Sequence, residues 1–312
     1  MKKRFLFFAA ISSMVFSFLC PAKYNPCRNE TYTFMHGGLK RTFRVCMPAN
    51  ADTTKPLPML IVLHGGGGTG KGMIKLTGGK FNQLSGRENF IVVYPDAFKK
   101  NWNDGRLNLP PSYTAHHRNI DDVGFISALI DGMVKMKYAD PARIYVTGMS
   151  NGAMMTHRLA IELSHKIAAA APVCGNIPAD LKSVPANPVA MMIINGTDDP
   201  LVPFEGGFVH FKKRQAGKIL STNESVTFWV NNNKTNTAPV VSDVPDTDPA
   251  DGCRVRKTEF LGPQEVVLIA IQGGGHTWPG GLQYLGEKWI GKTSRYIDAC
   301  EMIWEFCKRH SR

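Results

Sequence analysis

Five apolar runs punctuate the chain: Met59–Leu63, Phe90–Tyr94, Arg143–Thr147, Ala190–Ile194 and Val266–Ile271. Each is short and continuous rather than alternating, the pattern of a strand buried on both faces of a parallel sheet. Between them, helical periodicity covers roughly 120–137, 152–164, 222–232 and 296–309. Ahead of the first run, Glu30–Met35 and Arg41–Met47 flank Gly37-Gly38 and predict an antiparallel hairpin. Strands alternating with helices predict a mostly parallel central sheet with helices on both faces. The stretch Thr235–Gly252 is rich in Pro, Asp, Thr and Val and reads as a polar surface connector. With no internal repeat and no linker between two cores, one domain is expected.

The N-terminus departs from this pattern. Lys2-Lys3-Arg4 precedes an apolar stretch from Phe5 to Leu19, and Cys20-Pro21-Ala22 offers small residues for cleavage. A signal peptide over residues 1–22 is therefore expected, with a single catalytic domain over 23–312 and a secreted or periplasmic location. The alternative, an uncleaved anchor, suffers from a run short for a bilayer span of about 20 residues. A lipoprotein signal would use Cys20 but wants small residues where Phe18 and Leu19 stand. No later segment reads as membrane-spanning.

Of the 312 residues, 43% are hydrophobic and 20% charged, the balance of a globular protein. The net charge of +12 falls by three once Lys2-Lys3-Arg4 is set aside, and what remains is dispersed, with tight basic runs such as Lys99-Lys100 and Lys212-Lys213-Arg214. Without interleaved aromatics these are solvated faces, and no nucleic-acid partner is expected. Beyond the signal, Cys27, Cys46, Cys174, Cys253, Cys300 and Cys307 make an even set suited to an oxidising compartment. Cys27 and Cys46 flank the hairpin, where they can face one another. Cys300 and Cys307 lie two turns apart on a helix, too far to pair. No cysteine pair has metal-ligand spacing, and no metal is expected.

Chemistry enters with Gly148-Met149-Ser150-Asn151-Gly152, a G-x-S-x-G pentapeptide between a predicted strand and a predicted helix. That context favours a nucleophile over a mere helix cap. A serine on such a sharp turn adopts a strained backbone that only small neighbours tolerate. Its hydroxyl needs a base. His276 follows the last strand within Gly273-Gly274-Gly275-His276, where glycines let the chain turn the ring towards the serine. His64 is better placed to support its own loop, while His116, His117, His157 and His165 read as surface or packing residues. A carboxylate must hold the imidazole, and Asp198-Asp199 after the fourth run supplies it, although spacing does not choose between them. The chain order serine, aspartate, histidine is that of the α/β-hydrolases. His64-Gly65-Gly66-Gly67-Gly68 matches an HGGG-type loop, so Gly66 N–H (with Gly67 the alternative) and Asn151 N–H are the expected oxyanion donors. Gly65 to Lys71 nearly makes a phosphate-binding loop, but Gly72 stands where a serine or threonine is required. Trp278 beside the base is a candidate for substrate binding in an acyl or aryl pocket; the alternative is a packing aromatic.

Six blocks, in order, resemble the secreted polyhydroxybutyrate depolymerase–feruloyl esterase family of α/β-hydrolases. They are Leu63–Gly68, Val92-Val93-Tyr94-Pro95-Asp96, Asp121–Ile126, Gly148–Met155, Asn195-Gly196-Thr197-Asp198-Asp199 and Gly275–Gly281. The resemblance runs from about Tyr32 to the C-terminus. It implies the α/β-hydrolase fold, a serine esterase working through an acyl-enzyme, and no cofactor. It also selects Asp199 as the acid, from an H-G-T-x-D pattern in which Asn195 replaces the histidine. By the same resemblance Trp102-Asn103 and Asp121-Asp122 belong to the framework. A small-molecule or oligomeric ester is the expected partner, with no stable membrane insertion and a monomeric chain. Rival readings are a feruloyl or acetylxylan esterase, a peptidase, and a catalytically silent binding protein on a hydrolase scaffold.

Overall fold

The computed structural model describes residues 27–49, 51–52, 54–211 and 214–312; the expected signal peptide lies outside them. Strand β1 (Cys27–His36) and β2 (Leu39–Pro48) pair antiparallel across Gly37-Gly38. Both glycines have positive φ, as a two-residue hairpin turn that follows the strand twist requires. Near the far end of this hairpin Asn29 faces Cys46, and a disulfide joins Cys27 to Cys46. The other four described cysteines are free and buried, so the even count did not signal full pairing.

β2 pairs antiparallel with β4 (Ile91–Pro95), which runs parallel to β3 (Leu57–Leu63). Parallel order then continues through β5 (Ala139–Met149), β6 (Ala169–Val173), β7 (Ala190–Gly196) and β12 (Val266–Gln272). β11 (Arg254–Phe260) and β10 (Val240–Asp243) close the far edge antiparallel, giving the ten-strand order β1-β2-β4-β3-β5-β6-β7-β12-β11-β10. A separate hairpin, β8 (Gly207–Phe211) and β9 (Arg214–Ile219), stands apart from the main sheet.

Helices cover both faces. On one, α4 (Asp122–Lys135), α5 (Asn151–Glu162) and α6 (Thr222–Asn233) supply Phe125, Met155 and Trp229 to a core that includes Met59, Ile61 and Leu63. On the other, α1 (Gly70–Leu76), α2 (Lys80–Glu88) and α8 (Ala299–Cys307) bring Met73, Phe81 and Trp304 against Leu60 and Val62. Successive β3 residues thus alternate between two cores, which is why the run is apolar without interruption. Two single turns, α3 (Thr114–His117) and α7 (Glu287–Ile290), lie in loops.

Besides the unexpected strands β8, β9 and β11, three features differ from the sequence reading. β6 is Ala-Ala-Ala-Pro-Val, weak in strand propensity, and it is a strand because β5 and β7 pair with both its edges. The expected connector at 235–252 contains β10, whose four residues are all exposed. Helices α1 and α2 are short, and their apolar positions are too few to give a period. Every loop that matters for chemistry leaves the carboxyl ends of the parallel strands, the edge where open α/β sheets bind ligands.

Candidate active site

Ser150 sits between the end of β5 and the start of α5 at φ 58° and ψ −121°. A non-glycine residue there is strained, and its surroundings must hold it. Crowding explains the flanking glycines: a Cβ on Gly148 would lie 2.6 Å from Gly152 O, and one on Gly152 would lie 2.6 Å from His64 O. Only bare backbone lets β3 and the turn approach so closely. The turn is anchored by Ser150 N–H, which donates to Val173 O at 3.0 Å. Ser150 remains partly exposed.

Asp199 and His276 meet. Asp199 Oδ2 lies 2.6 Å from His276 Nδ1, with both side chains almost fully buried. The other carboxylate oxygen accepts the backbone N–H groups of Leu201 and Val202, each at 2.8 Å, which locks the acid's orientation. Asp198, in contrast, is exposed, and among the described residues its side chain takes only the Thr197 hydroxyl. His276 is delivered by the loop after β12: Gly275 and His276 N–H donate to Lys292 and Ile290 O, and Tyr284 OH donates to His276 O at 3.0 Å. Ser150 Oγ and His276 Nε2 form no hydrogen bond among the described residues. Such contacts are commonly loose before substrate binds.

Trp278 corrects an expectation. Its side chain is fully buried and packs edge-on against Phe81. It belongs to the core on the α2–α8 face, which accounts for it without a substrate pocket. A residue that sequence reasoning left unassigned occupies the site instead: Cys174, just past β6. Its Sγ donates to Thr277 O at 3.1 Å. Burial, reinforced by the charge of Asp199, raises the thiol well above its ordinary pKa.

The glycine loop lies against the elbow. A Cβ on Gly65 would be 3.5 Å from Ser150 Cβ, and one on Gly66 3.7 Å from Asn151 Cβ. Gly67 N–H is already engaged by Lys100 O, whereas Gly66 N–H has no partner among the described residues. Asn151 is the first residue of α5, where backbone N–H groups point out of the helix unpaired. His64 supports this loop: Nδ1 lies 2.8 Å from Gly65 O and Nε2 accepts Ala97 N–H at 3.0 Å. Burial lowers its pKa, keeping the ring neutral.

The Asn151 side chain reaches away from the serine. Its Oδ1 accepts Trp102 N–H at 2.8 Å, and its Nδ2 donates to Trp102 O at 3.0 Å and to Asp104 at 2.6 Å. Asp104 is itself gripped by Arg106 and His116. Burial opposes its charge, yet those two groups outweigh burial and hold the carboxyl well below the usual range. Asp122 joins the same framework, bonded to Arg41 at 2.6 Å and to Asn103 N–H at 2.7 Å. Asn195 bonds Asn176 and Thr222 beneath the acid loop, a structural role.

The sequence profile of the family described as Esterase PHB depolymerase matches residues 42–202, which span the glycine loop, the serine turn and the acid. Over 92% of its length the chain is 27% identical to "Putative esterase NocK" of Nocardia uniformis subsp. tsuyamanensis, and it covers 85% of that protein. It is 28% identical over half its length to "Feruloyl esterase B" of Piromyces equi, of which it spans 29%. Among solved structures, a thermostable esterase superposes with a TM-score of 0.57 at 16% identity, over 91% of this chain and 63% of that one. At that identity the likeness speaks for the fold, and it is the α/β-hydrolase fold. The chain belongs to the esterase PHB depolymerase family and is a carboxylic ester hydrolase built on that fold.

Proposed function

We propose that Ser150, His276 and Asp199 form the catalytic triad of an exported esterase, with residues 1–22 removed on secretion. Support for export comes from the disulfide and from the described residues, none of whose helices is long and apolar enough to cross a membrane. The observation that carries the triad is the buried Asp199–His276 contact, reached beside a serine strained into an elbow. Ser150 Oγ bonds to the ester carbonyl carbon while His276 Nε2 takes its proton. The C–O bond to the alcohol breaks, and the alcohol leaves with that proton. Water repeats the sequence on the acyl-enzyme and frees the acid. Asp199 keeps the second imidazole proton on Nδ1 and stabilises the imidazolium. Gly66 and Asn151 N–H face the developing oxyanion, each worth about 3 kcal/mol.

The substrate we propose is a hydroxyalkanoate-type ester or oligomer. Beyond the base, one loop exposes Leu282, Tyr284, Leu285 and Trp289, apolar surface against which a polyester chain can lie. A second reading, an aromatic acyl ester of a polysaccharide, draws on the likeness to feruloyl esterase B. Wild type and Ser150→Ala, assayed on p-nitrophenyl butyrate, methyl ferulate and hydroxybutyrate oligomers, test both. Serine-dependent turnover is expected, and the substrate ranking chooses between readings. Unchanged activity in the alanine variant refutes the nucleophile, and a folded wild type that neither turns over nor labels with a fluorophosphonate refutes the enzyme.

A further inference from the structure

Cys174 has no part in the reaction just described, yet it stands among the residues that do. Its Sγ, a carboxylate oxygen of Asp199 and a ring nitrogen of His276 all lie within 4.8 Å of one another. All three residues are buried: 3% exposed for Cys174, 8% for Asp199 and 3% for His276. We propose that these three side chains form an inhibitory site for a thiophilic divalent cation such as Zn²⁺, whose binding switches the esterase off. The inhibition rests on His276 being the base; the metal site does not.

The donor set fits the ion. Sulfur, nitrogen and oxygen together suit Zn²⁺, whereas Mg²⁺ and Ca²⁺ take oxygen alone. Tetrahedral Zn²⁺, with bonds of about 2.3 Å to sulfur and about 2.1 Å to nitrogen or oxygen, sets its ligand atoms about 3.3–3.6 Å apart. The widest pair of the cluster must therefore close by little more than an ångström, and the 2.6 Å Asp199–His276 contact must open by about 0.7 Å. A thiolate and a carboxylate together neutralise the dication, so no unpaired charge is left in a buried place. Water has the fourth position. The backbone on either side is well held, since Cys174 N–H donates to Ile194 O and its thiol already points at the Thr277 carbonyl beside the base.

Protons balance as follows in the bound state. The cation displaces the thiol proton and the Nδ1 proton of His276 to solvent, and Nε2 takes one proton up, for a net release of one. An imidazole held by metal at Nδ1 and protonated at Nε2 cannot accept the serine proton. Ser150 is silenced without being touched.

The experiment titrates Zn²⁺ into the folded protein during p-nitrophenyl butyrate hydrolysis, comparing wild type with Cys174→Ala and Cys174→Ser, each against its own metal-free rate. At ten times the dissociation constant wild type is expected to slow about tenfold, while the alanine variant loses less than twofold at the same concentration. Co²⁺ supplies a readout independent of turnover: a thiolate-to-cobalt charge-transfer absorption, present in wild type and in Ser150→Ala and absent in Cys174→Ala. Equal inhibition of wild type and Cys174→Ala, or no Cys174-dependent cobalt band, overturns the site. A merely structural thiol, bonded to Thr277, predicts that equal inhibition. A Cys174-dependent band in a protein inactive on every ester upholds the metal site and removes the esterase reading.

Discussion

Replacing Asp199 with asparagine changes one atom's chemistry and nothing in the volume, and the structure dictates how the new side chain must sit. Asp199 Oδ1 accepts two backbone N–H groups, from Leu201 and Val202, both at 2.8 Å. An amide nitrogen cannot accept, so the asparagine carbonyl must take that position and its NH₂ must face His276 Nδ1. The ring nitrogen at 2.6 Å then has to accept rather than donate, which places the imidazole proton on Nε2. A base already protonated at Nε2 cannot receive the serine proton. The geometry thus enforces the wrong tautomer, for which a loss of about 10⁴ in kcat is expected, or about 5 kcal/mol of barrier. Asp198→Asn is the matched control, because among the described residues that exposed side chain bonds only Thr197 and its loss should alter kcat less than twofold. Initial rates on p-nitrophenyl butyrate, with thermal unfolding to confirm that both variants fold, measure the pair. An Asp199→Asn enzyme within tenfold of wild type, or an Asp198→Asn enzyme as damaged as its neighbour, would refute the reasoning.

Other consequences follow from the same contacts. Asn151→Ala strips a donor and an acceptor from the buried Trp102 peptide and one donor from Asp104, at about 1–3 kcal/mol for each unmet group. Urea unfolding should show at least about 3 kcal/mol of lost stability, and kcat should fall with it as the framework beside the glycine loop loosens. Burial pushes His157 down to about 3, its Nδ1 accepting the Trp229 indole N–H. Below the ordinary histidine value of about 6.5, the unfolded chain binds a proton that the folded one refuses. Stability from this group is therefore complete above that pH and declines towards pH 3, by about 2 kcal/mol between pH 7 and pH 5. His157→Gln should flatten that slope in paired urea titrations; an unchanged slope refutes the assignment. Removing the Cys27–Cys46 link, which closes a separation of 19 residues, should cost about 3 kcal/mol in thermal unfolding while kcat at 25 °C stays within twofold.

What could be read from the chain alone was whatever a few adjacent residues decide. The five runs became β3, β4, β5, β7 and β12 because a strand sandwiched between two helical layers must be apolar at every position. The G-x-S-x-G turn was legible for a similar reason, since the close approach of Leu63 and His64 leaves no room for a Cβ at Gly148 or Gly152. β6 and β10 were not legible: three alanines and a proline carry no strand signal, and an exposed edge strand is as polar as a loop. Nor could local pattern choose between Asp198 and Asp199, which needed either the family resemblance or the fold that buries one of them against His276.

Two constellations came from tertiary structure alone. The grip of Arg106 and His116 on Asp104, which in turn steadies Asn151, joins the loop that carries Asp104 and Arg106 to the turn α3 and to the start of α5. Cys174 meets Asp199 and His276 only because β6, β7 and β12 end side by side at one edge of the sheet. Trp278 shows the converse, since its neighbourhood in sequence to the base suggested a pocket while the turn at His276 sends the ring into the core. Sequence determined which residues can perform the chemistry, because that is written in side-chain type and in the turns that bear it. Which of them meet was decided by strand order, because contacts between residues far apart along the chain exist only once the sheet has brought its strand ends together.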